Sequence, residues 1–336
     1  MYRLLRPLLF KLDPELAHAL TLNLVRLAGR IPFSRWMLAS IFMPPEKPVQ
    51  AFGLTFKNPV GLAAGYDKDC QALAGLSALG FGHLELGTVT LRPQPGNPKP
   101  RIFRLIEQEA VINRMGFPGR GMDYAAASLL RSGGQRQETL IGINLGKNKD
   151  TALEAAAEDY IGLMRTFAPL ADYLAINISS PNTVGLRRLQ GREMLEGLLK
   201  ELSAERSRLP VQPPLLVKIA PDLSDEELDD AVGAILDTGM DGIIATNTTL
   251  SREGLAGPLR AETGGLSGRP LTGLSDSVLR KVVARVNGRI PVIGVGGVTS
   301  PADAKRKLDL GAALVQVYTG MIYSGPGLVK KIVQQL

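Results

Sequence analysis

Short, nearly continuous apolar runs recur along the chain, and each ends abruptly in polar residues or glycine. Val60-Gly-Leu-Ala-Ala-Gly65 runs into Tyr66-Asp67-Lys68, Leu84–Gly87 into Thr88, Ile141–Ile143 into Asn144, and Tyr173–Ile176 into Asn177. Further on, Leu215–Val217 reaches Lys218, Gly242–Ala245 reaches Thr246-Asn247-Thr248, Pro291–Ile293 reaches Gly294-Val-Gly296-Gly297, and Leu314–Val317 reaches Tyr318-Thr319. Runs that are apolar throughout, rather than alternating, predict strands buried on both faces of a parallel sheet. Helical segments separate them: Asp150-Thr151 to Phe167, Arg192 to Arg208, one opening at Ser224-Asp-Glu-Glu227 with capping-box spacing, Ser275 to Val286, Pro301 to Leu310, and Pro326 to Gln335. Strand then helix, eight times over, predicts an α/β fold, a (β/α)8 TIM barrel, since a doubly wound sheet usually has fewer units. The polar endings would then converge, because such barrels build their sites at the C-terminal ends of the strands.

Residues 1–43 follow a different pattern. Asp13-Pro14 can open a helix on which Leu16, Leu20, Leu24 and Leu27 recur at helical spacing, ended by Gly29 and Pro32. A second short helix from Ser34 carries Trp36, Met37, Leu38, Ile41, Phe42 and Met43 before Pro44-Pro45 stop it. No run approaches the ~20 apolar residues of a transmembrane helix, and Pro7, Lys11 and Asp13 interrupt any signal-peptide core. The pattern divides the chain into a small N-terminal helical extension, 1–45, and a barrel domain, 46–336. The extension reads either as helices packed on the barrel or as an interfacial anchor on an anionic membrane.

Composition narrows the chemistry. The chain has 336 residues, 45% of them hydrophobic, with mean hydropathy +0.07, as expected for one barrel plus a small addition. A single cysteine, Cys70, excludes intrachain disulfides, thiolate-held iron–sulfur clusters and four-cysteine zinc sites. Cys70 is expected in a helix, as a small packed residue. Two histidines far apart, His18 and His83, make a histidine metal site improbable; His83 is expected to pack at the start of a strand. The net charge of +7 does not indicate nucleic acid, because residues 1–43 account for +4 of it and no basic run is interleaved with aromatics.

The residues expected to converge are Lys68, Lys218, Thr88, Asn144, Asn177, Ser180, Asn182, Thr246, Asn247 and Thr248. Asn113-Arg114-Met115-Gly116-Phe117 joins them from an insertion: the runs starting at 84 and 141 are 57 residues apart, against 24 between 60 and 84. Polar residues crowded at Asn177-Ile-Ser-Ser180-Pro-Asn182 suit ligand contact, although Ser-Pro-Asn is also ordinary turn chemistry. The set is rich in Asn and Lys, with Asp67 and Glu85 the main carboxylates, which argues against glycoside or metal-assisted hydrolysis. Neutral hydrogen-bonding groups with lysines suit a planar, anionic, amide-bearing ligand. Gly296-Gly297 and Tyr318-Thr319-Gly320 follow the seventh and eighth runs, the usual phosphate site of these barrels. No G-x-G-x-x-G follows an N-terminal strand, so flavin mononucleotide (FMN) fits better than a nicotinamide nucleotide.

Over essentially its whole length the chain resembles the membrane-associated, quinone-dependent class (class 2) of dihydroorotate dehydrogenases. The resemblance rests on Gly61-Leu-Ala-Ala-Gly65 with Asp67-Lys68, Gly87-Thr88-Val-Thr90 with Arg92-Pro-Gln-Pro-Gly-Asn97, and Asn113-Arg-Met-Gly-Phe117. It continues through Gly142-Ile-Asn144-Leu-Gly-Lys147-Asn148, Asn177–Asn182, Lys218-Ile-Ala-Pro221, Thr246-Asn-Thr248, Gly264-Gly-Leu-Ser-Gly268 and Gly294-Val-Gly-Gly297. Pro118-Gly119 departs from the family, which often has Asn after Gly-Phe.

The resemblance implies oxidation of dihydroorotate to orotate in pyrimidine biosynthesis, with FMN as hydride acceptor and a quinone as final acceptor. It implies Ser180 as the base, where the soluble class uses Cys. Lys68, Asn113, Arg114, Met115, Gly116, Phe117, Asn177, Asn182, Asn247 and Thr248 would contact substrate. Ala64, Gly65, Tyr66, Asp67, Lys68, Thr88, Asn144, Asn177, Lys218, Thr246, Gly268, Gly297, Tyr318 and Thr319 would hold FMN. His18, Arg104 and Tyr318 would line a quinone entrance between the N-terminal helices. The membrane-surface reading of residues 1–45 then gains weight, on the cytoplasmic face of the inner membrane, with no metal, nucleic acid or partner protein required. A soluble dehydrogenase on the same barrel, or a phosphosugar isomerase using the phosphate site, remain the alternatives.

Overall fold

The computed structural model describes residues 2–132, 138–183 and 185–336. Three helices open the chain: α1 (Tyr2–Lys11), α2 (Pro14–Arg30) and α3 (Pro32–Phe42). Asp13 caps α2, its carboxylate accepting the Glu15 and Leu16 N–H groups at 2.9 and 3.0 Å, and Pro14 sits at the first helical position. The sequence pattern does not predict α1, because Pro7 lies inside it. Its side chains instead dock on the barrel's last residues. The Tyr2 hydroxyl donates to the Ile322 carbonyl, Arg6 to that of Tyr323 at 3.1 Å, and the Phe10 ring meets Tyr323 edge-on at 5.4 Å.

A hairpin of β1 (Val49–Ala51) and β2 (Leu54–Phe56) precedes the barrel. Barrel strands β3 (Val60–Leu62) and β4 (His83–Thr90) flank α4 (Leu73–Ser77). The long insertion holds β5 (Ile102–Leu105), β6 (Ala110–Asn113) and α5 (Met122–Ser132). After it come β7 (Leu140–Gly146), α6 (Ala156–Phe167), β8 (Tyr173–Asn177), α7 (Arg192–Arg206), β9 (Leu215–Ile219), α8 (Asp225–Asp237) and β10 (Gly242–Ala245). Strand β11 (Gly265–Gly268) leaves the barrel to pair antiparallel with β6, and β6 with β5. Helix α9 (Thr272–Val286), β12 (Val292–Val295), α10 (Pro301–Asp309), β13 (Leu314–Val317), α11 (Thr319–Ser324) and α12 (Leu328–Gln335) complete the chain.

Strands β3, β4, β7, β8, β9, β10, β12 and β13 close into one parallel barrel, matching the eight apolar runs. The expected capping box is present, Ser224 Oγ accepting the Glu227 N–H and Glu227 the Ser224 N–H. Asp150-Thr151 does not open a helix: Asp150 pairs with Arg92, Thr151 donates to Asp159 at 2.8 Å, and α6 begins only at Ala156. Cys70 is not helical either; it is fully buried in the turn before α4, with φ +56°. His83 begins β4 fully buried. Its ring fills the barrel floor against Phe56, 5.3 Å between centroids. Gly61 is obligatory beside it, since a Cβ there would lie 2.0 Å from His83 Nε2.

The N-terminal helices approach the barrel at backbone distance. A Cβ on Gly29 would lie 2.3 Å from the Gly75 nitrogen, and one on Gly75 2.0 Å from the Val25 carbonyl oxygen. Glu15 adds a bidentate pair with Arg101, at 2.7 and 3.1 Å. Gly75→Ala is therefore expected to push α2 off α4 and lower stability by ~1–3 kcal/mol. Urea denaturation measures that loss, and emission from the single tryptophan, Trp36 on α3, reports the displacement.

Candidate active site

A cavity of about 760 Å³ lies at the C-terminal ends of the barrel strands, a volume typical of ligand sites. It continues past the barrel mouth to the N-terminal helices, where Leu9, Phe10, Ala17, His18 and Leu24 form its outer wall. One end is polar and the other is hydrocarbon. All the expected site residues line it except Asp67, Asn144 and Arg114.

The polar end is an amide chain. Asn177 Nδ2 donates to Thr88 Oγ1 at 3.1 Å and to Asn144 Oδ1 at 3.0 Å. Its Oδ1 accepts from Ser179 Oγ and from Asn247 Nδ2, each at 3.2 Å. Asn247 Oδ1 accepts the Thr248 N–H at 2.8 Å. On the facing side Asn182 Nδ2 reaches Asn113 Oδ1 at 3.2 Å, so β6 and the loop after β8 meet across the cavity. Ser180 is buried beside them, its Oγ accepting the Asn182 N–H at 3.2 Å. Arg187 ties this loop down: Nε donates to the Ser179 carbonyl at 3.0 Å, Nη2 to the Thr248 carbonyl at 2.9 Å, and Nη1 to Asp222 at 2.6 Å. One guanidinium thus joins the segments after β8, β9 and β10.

Lys218, Gly268, Gly296, Gly297 and Thr319 line another stretch of wall. Gly268 and Gly297 have φ of +95° and +70°, and a Cβ on Gly297 would meet Thr272 within 2.4 Å. Bare backbone, a lysine and Thr319 fit a phosphate-bearing flavin: N–H groups for the phosphate, and a cation with amides for the ring imide. Among the described residues, no group of three His, Cys, Asp or Glu side chains is placed to bind a metal.

Lys68 Nζ donates to the Gly65 carbonyl at 2.5 Å. Burial pulls its pKa down to about 8, with Arg101 adding to the depression against the opposing pull of Asp69. Burial, with the Lys68 charge behind it, pushes His18 down to about 3, so its imidazole is neutral in the apolar part of the cavity. His18 packs edge-on against Tyr66, with 5.0 Å between centroids, and Tyr66 against Tyr318 at 6.3 Å. Arg104 lines the cavity, but its guanidinium is spent on the end of α1, donating to the Leu9 carbonyl at 3.1 Å and to that of Leu12, over the Phe10 ring.

Three of the expected site residues do not line the cavity. Asp67 turns into its own loop, its carboxylate accepting the Gln71 and Ala72 N–H groups at 3.0 and 2.7 Å. Arg114 swings away from the cavity to stack on Phe103 and pair with Glu262 at 2.5 Å. Asn144 lies one layer behind the wall, between Thr88, Asn177 and Glu85. The pattern also misses residues: Tyr2, Leu9 and Phe10 from α1, Ser267 on β11, and Gln316. Gln316 had a signal, as the one polar residue inside the run Leu314–Val317.

A closed parallel barrel with a polar, flavin-compatible site at its strand ends and an apolar passage leading from it fits a barrel oxidoreductase with one polar and one apolar substrate. The chain belongs to the dihydroorotate dehydrogenase family, a family of flavin-dependent oxidoreductases whose model matches residues 48–336. It is 51% identical to a dihydroorotate dehydrogenase (quinone) of Acidithiobacillus ferrooxidans, over 100% of this chain and 94% of that protein. It is 48% identical to one of Shewanella woodyi, over 99% and 98%. Among solved structures, it superposes on ligand-free DHODH from Eimeria tenella with a TM-score of 0.88 and 41% identity, over 96% of this chain and 94% of that one. The same enzyme in complex with ferulenol gives a TM-score of 0.87 and 38% identity, over 98% and 93%.

Proposed function

We propose that the cavity holds FMN and dihydroorotate at its polar end and admits a membrane quinone at its apolar end. The reaction of the family and of its full-length relatives is oxidation of dihydroorotate to orotate with a quinone as acceptor, a step of pyrimidine biosynthesis. The observation that carries the reading is the continuity of one cavity from the amide chain to the N-terminal helices. FMN supplies the hydride acceptor for C6 of dihydroorotate and an outlet for electrons to the quinone. Lys218, Thr246, Gly268, Gly297 and Thr319 hold it. Asn113, Asn177, Asn182, Asn247 and Thr248 orient the substrate ring by its amides, and Lys68 pairs with its carboxylate. Ser180 Oγ takes the C5 proton, which leaves through Thr183 or water.

The outer surface supports the membrane part of this reading. Leu4, Leu8, Leu16, Leu27, Phe33 and Trp36 are all more than half exposed, on α1, α2 and α3. Among the described residues only Ile106, Leu130, Val211 and Leu250 are large exposed apolar groups outside residues 1–41, so the apolar surface is concentrated where the passage opens. Among the described residues no helix is long and apolar enough to cross a membrane. We place the chain as a peripheral protein on the anionic, cytoplasmic face of the inner membrane, with His18 and Tyr318 at the quinone entrance.

An absorbance spectrum tests the core of the proposal. The purified chain should be yellow, bleach anaerobically with dihydroorotate, and recover its colour on adding a quinone. A colourless protein, or one indifferent to dihydroorotate, would refute it. The Lys68 assignment carries its own pH signature. Its ammonium is the form that pairs with a carboxylate, so orotate affinity should be constant well below the pKa of about 8. Above it, affinity should decline by up to about tenfold per pH unit. Titration of the flavin spectrum with orotate from neutral to alkaline pH measures this, and Lys68→Met should flatten the alkaline decline.

A further inference from the structure

Behind the cavity wall sits a carboxylate with no solvent contact. Glu85, on β4, is fully buried inside the barrel. Its Oε1 accepts from Asn144 Nδ2 at 2.7 Å and from Lys218 Nζ at 2.9 Å, and its Oε2 accepts from Gln316 Nε2 at 2.7 Å. An ionised carboxylate only accepts hydrogen bonds, so Asn144 must turn its NH2 toward Glu85. Asn144 Oδ1 is then left as the acceptor that receives the Thr88 hydroxyl and the Asn177 NH2. With the Asn177 NH2 so engaged, its Oδ1 must accept from Ser179 and Asn247. Asn247, its NH2 spent on Asn177 and on Ser179 Oγ, presents Oδ1 to the Thr248 N–H. Each amide's direction agrees with the one before, and the Ser179 and Thr248 backbone N–H groups hold the Asn177 and Asn247 oxygens the same way. The first direction comes from Glu85.

We propose that Glu85 is a positioning residue. It fixes which way the Asn144 amide points, reinforcing the order of Asn177 and Asn247, and it balances the Lys218 charge at the cavity wall. Of the three amides, Asn177 and Asn247 line the cavity, so the order set in the barrel interior is what a ring imide meets at its surface. A neutral amide in place of Glu85 could donate as well as accept. Asn144 could then turn over against Thr88 and Asn177, and Lys218 would be left without its counter-charge.

The inference rests on the flavin and dihydroorotate reading above, and its test separates the two. Glu85→Gln holoenzyme is expected to stay folded and yellow and to bind orotate more weakly, on the order of ten- to a hundredfold by spectral titration, the range for losing a charged hydrogen bond. Its flavin midpoint potential should move positive, because an unbalanced Lys218 favours the reduced, anionic ring. Neither readout would move if Glu85 only filled space. Glu85→Asp keeps the charge but draws it back by one methylene, so it should retain the potential and still lose orotate affinity. It decides the matter should Glu85→Gln fail to fold. Orotate affinity within twofold of the wild type in a folded variant, even one with a lowered melting temperature, would overturn the inference. A wild-type protein that holds no flavin would instead sink the functional reading.

Discussion

Ser180→Ala is expected to retain FMN and orotate binding while slowing flavin reduction by dihydroorotate on the order of 10²–10⁴-fold, the usual cost of removing a general base. In the proposed site the binding contacts come from other side chains. Asn113, Asn177, Asn182, Asn247 and Lys68 are held by their own partners, and Ser180 contributes only an acceptor for the Asn182 N–H. Fold loss should be small, since one hydroxyl is removed from a loop that Arg187 still anchors through the Ser179 carbonyl. Ser180→Cys should recover part of the rate, more at alkaline pH where the thiolate forms. Anaerobic stopped-flow reduction, followed by loss of flavin absorbance, measures the step directly. A near-normal rate in Ser180→Ala would show that the base lies elsewhere.

Removing residues 1–43 is expected to separate the two half-reactions. The amide chain, Lys218 and the glycine-lined wall all lie in the barrel and its β5–β6–β11 sheet, so dihydroorotate should still reduce the flavin. The outer wall made by Leu9, Phe10, Ala17, His18 and Leu24 disappears, and turnover with long-tailed quinones should fall at least tenfold while small hydrophilic acceptors still work. Binding to anionic vesicles should fall too. At ~25 cal/mol per Å², inserting even roughly 100 Å² of these exposed side chains is worth about 2.5 kcal/mol, well over a tenfold change in affinity. Vesicle co-sedimentation and quinone-dependent turnover, set beside single-turnover flavin reduction, give the comparison. Equal long-tailed quinone turnover with and without the segment would reduce it to a packing extension.

Arg187 illustrates what a linear pattern conceals. It stands among ordinary charged residues in Gly-Leu-Arg187-Arg-Leu, yet its guanidinium fastens the ends of three strands. Arg114 illustrates the converse. It belongs to the Asn113–Phe117 motif, but Phe103 and Glu262 draw its side chain away from the cavity. Motif membership places a backbone, whereas the neighbours available to a side chain decide where it points.

The sequence by itself determined the barrel. Eight nearly continuous apolar runs can be satisfied only by burying both faces, and their polar endings, Lys68, Thr88, Asn177, Lys218 and Asn247 among them, had to gather at one rim. It also determined the caps at Asp13 and Ser224, because capping depends on residues two or three positions apart. Only the tertiary structure decided α1, where contacts to Ile322 and Tyr323 outweigh an internal proline. It alone decided that Glu85 meets Asn144, Lys218 and Gln316 inside the barrel. Those outcomes join residues up to 320 positions apart, and no local pattern encodes such a separation: each depends on which donors and acceptors the closed barrel leaves as neighbours.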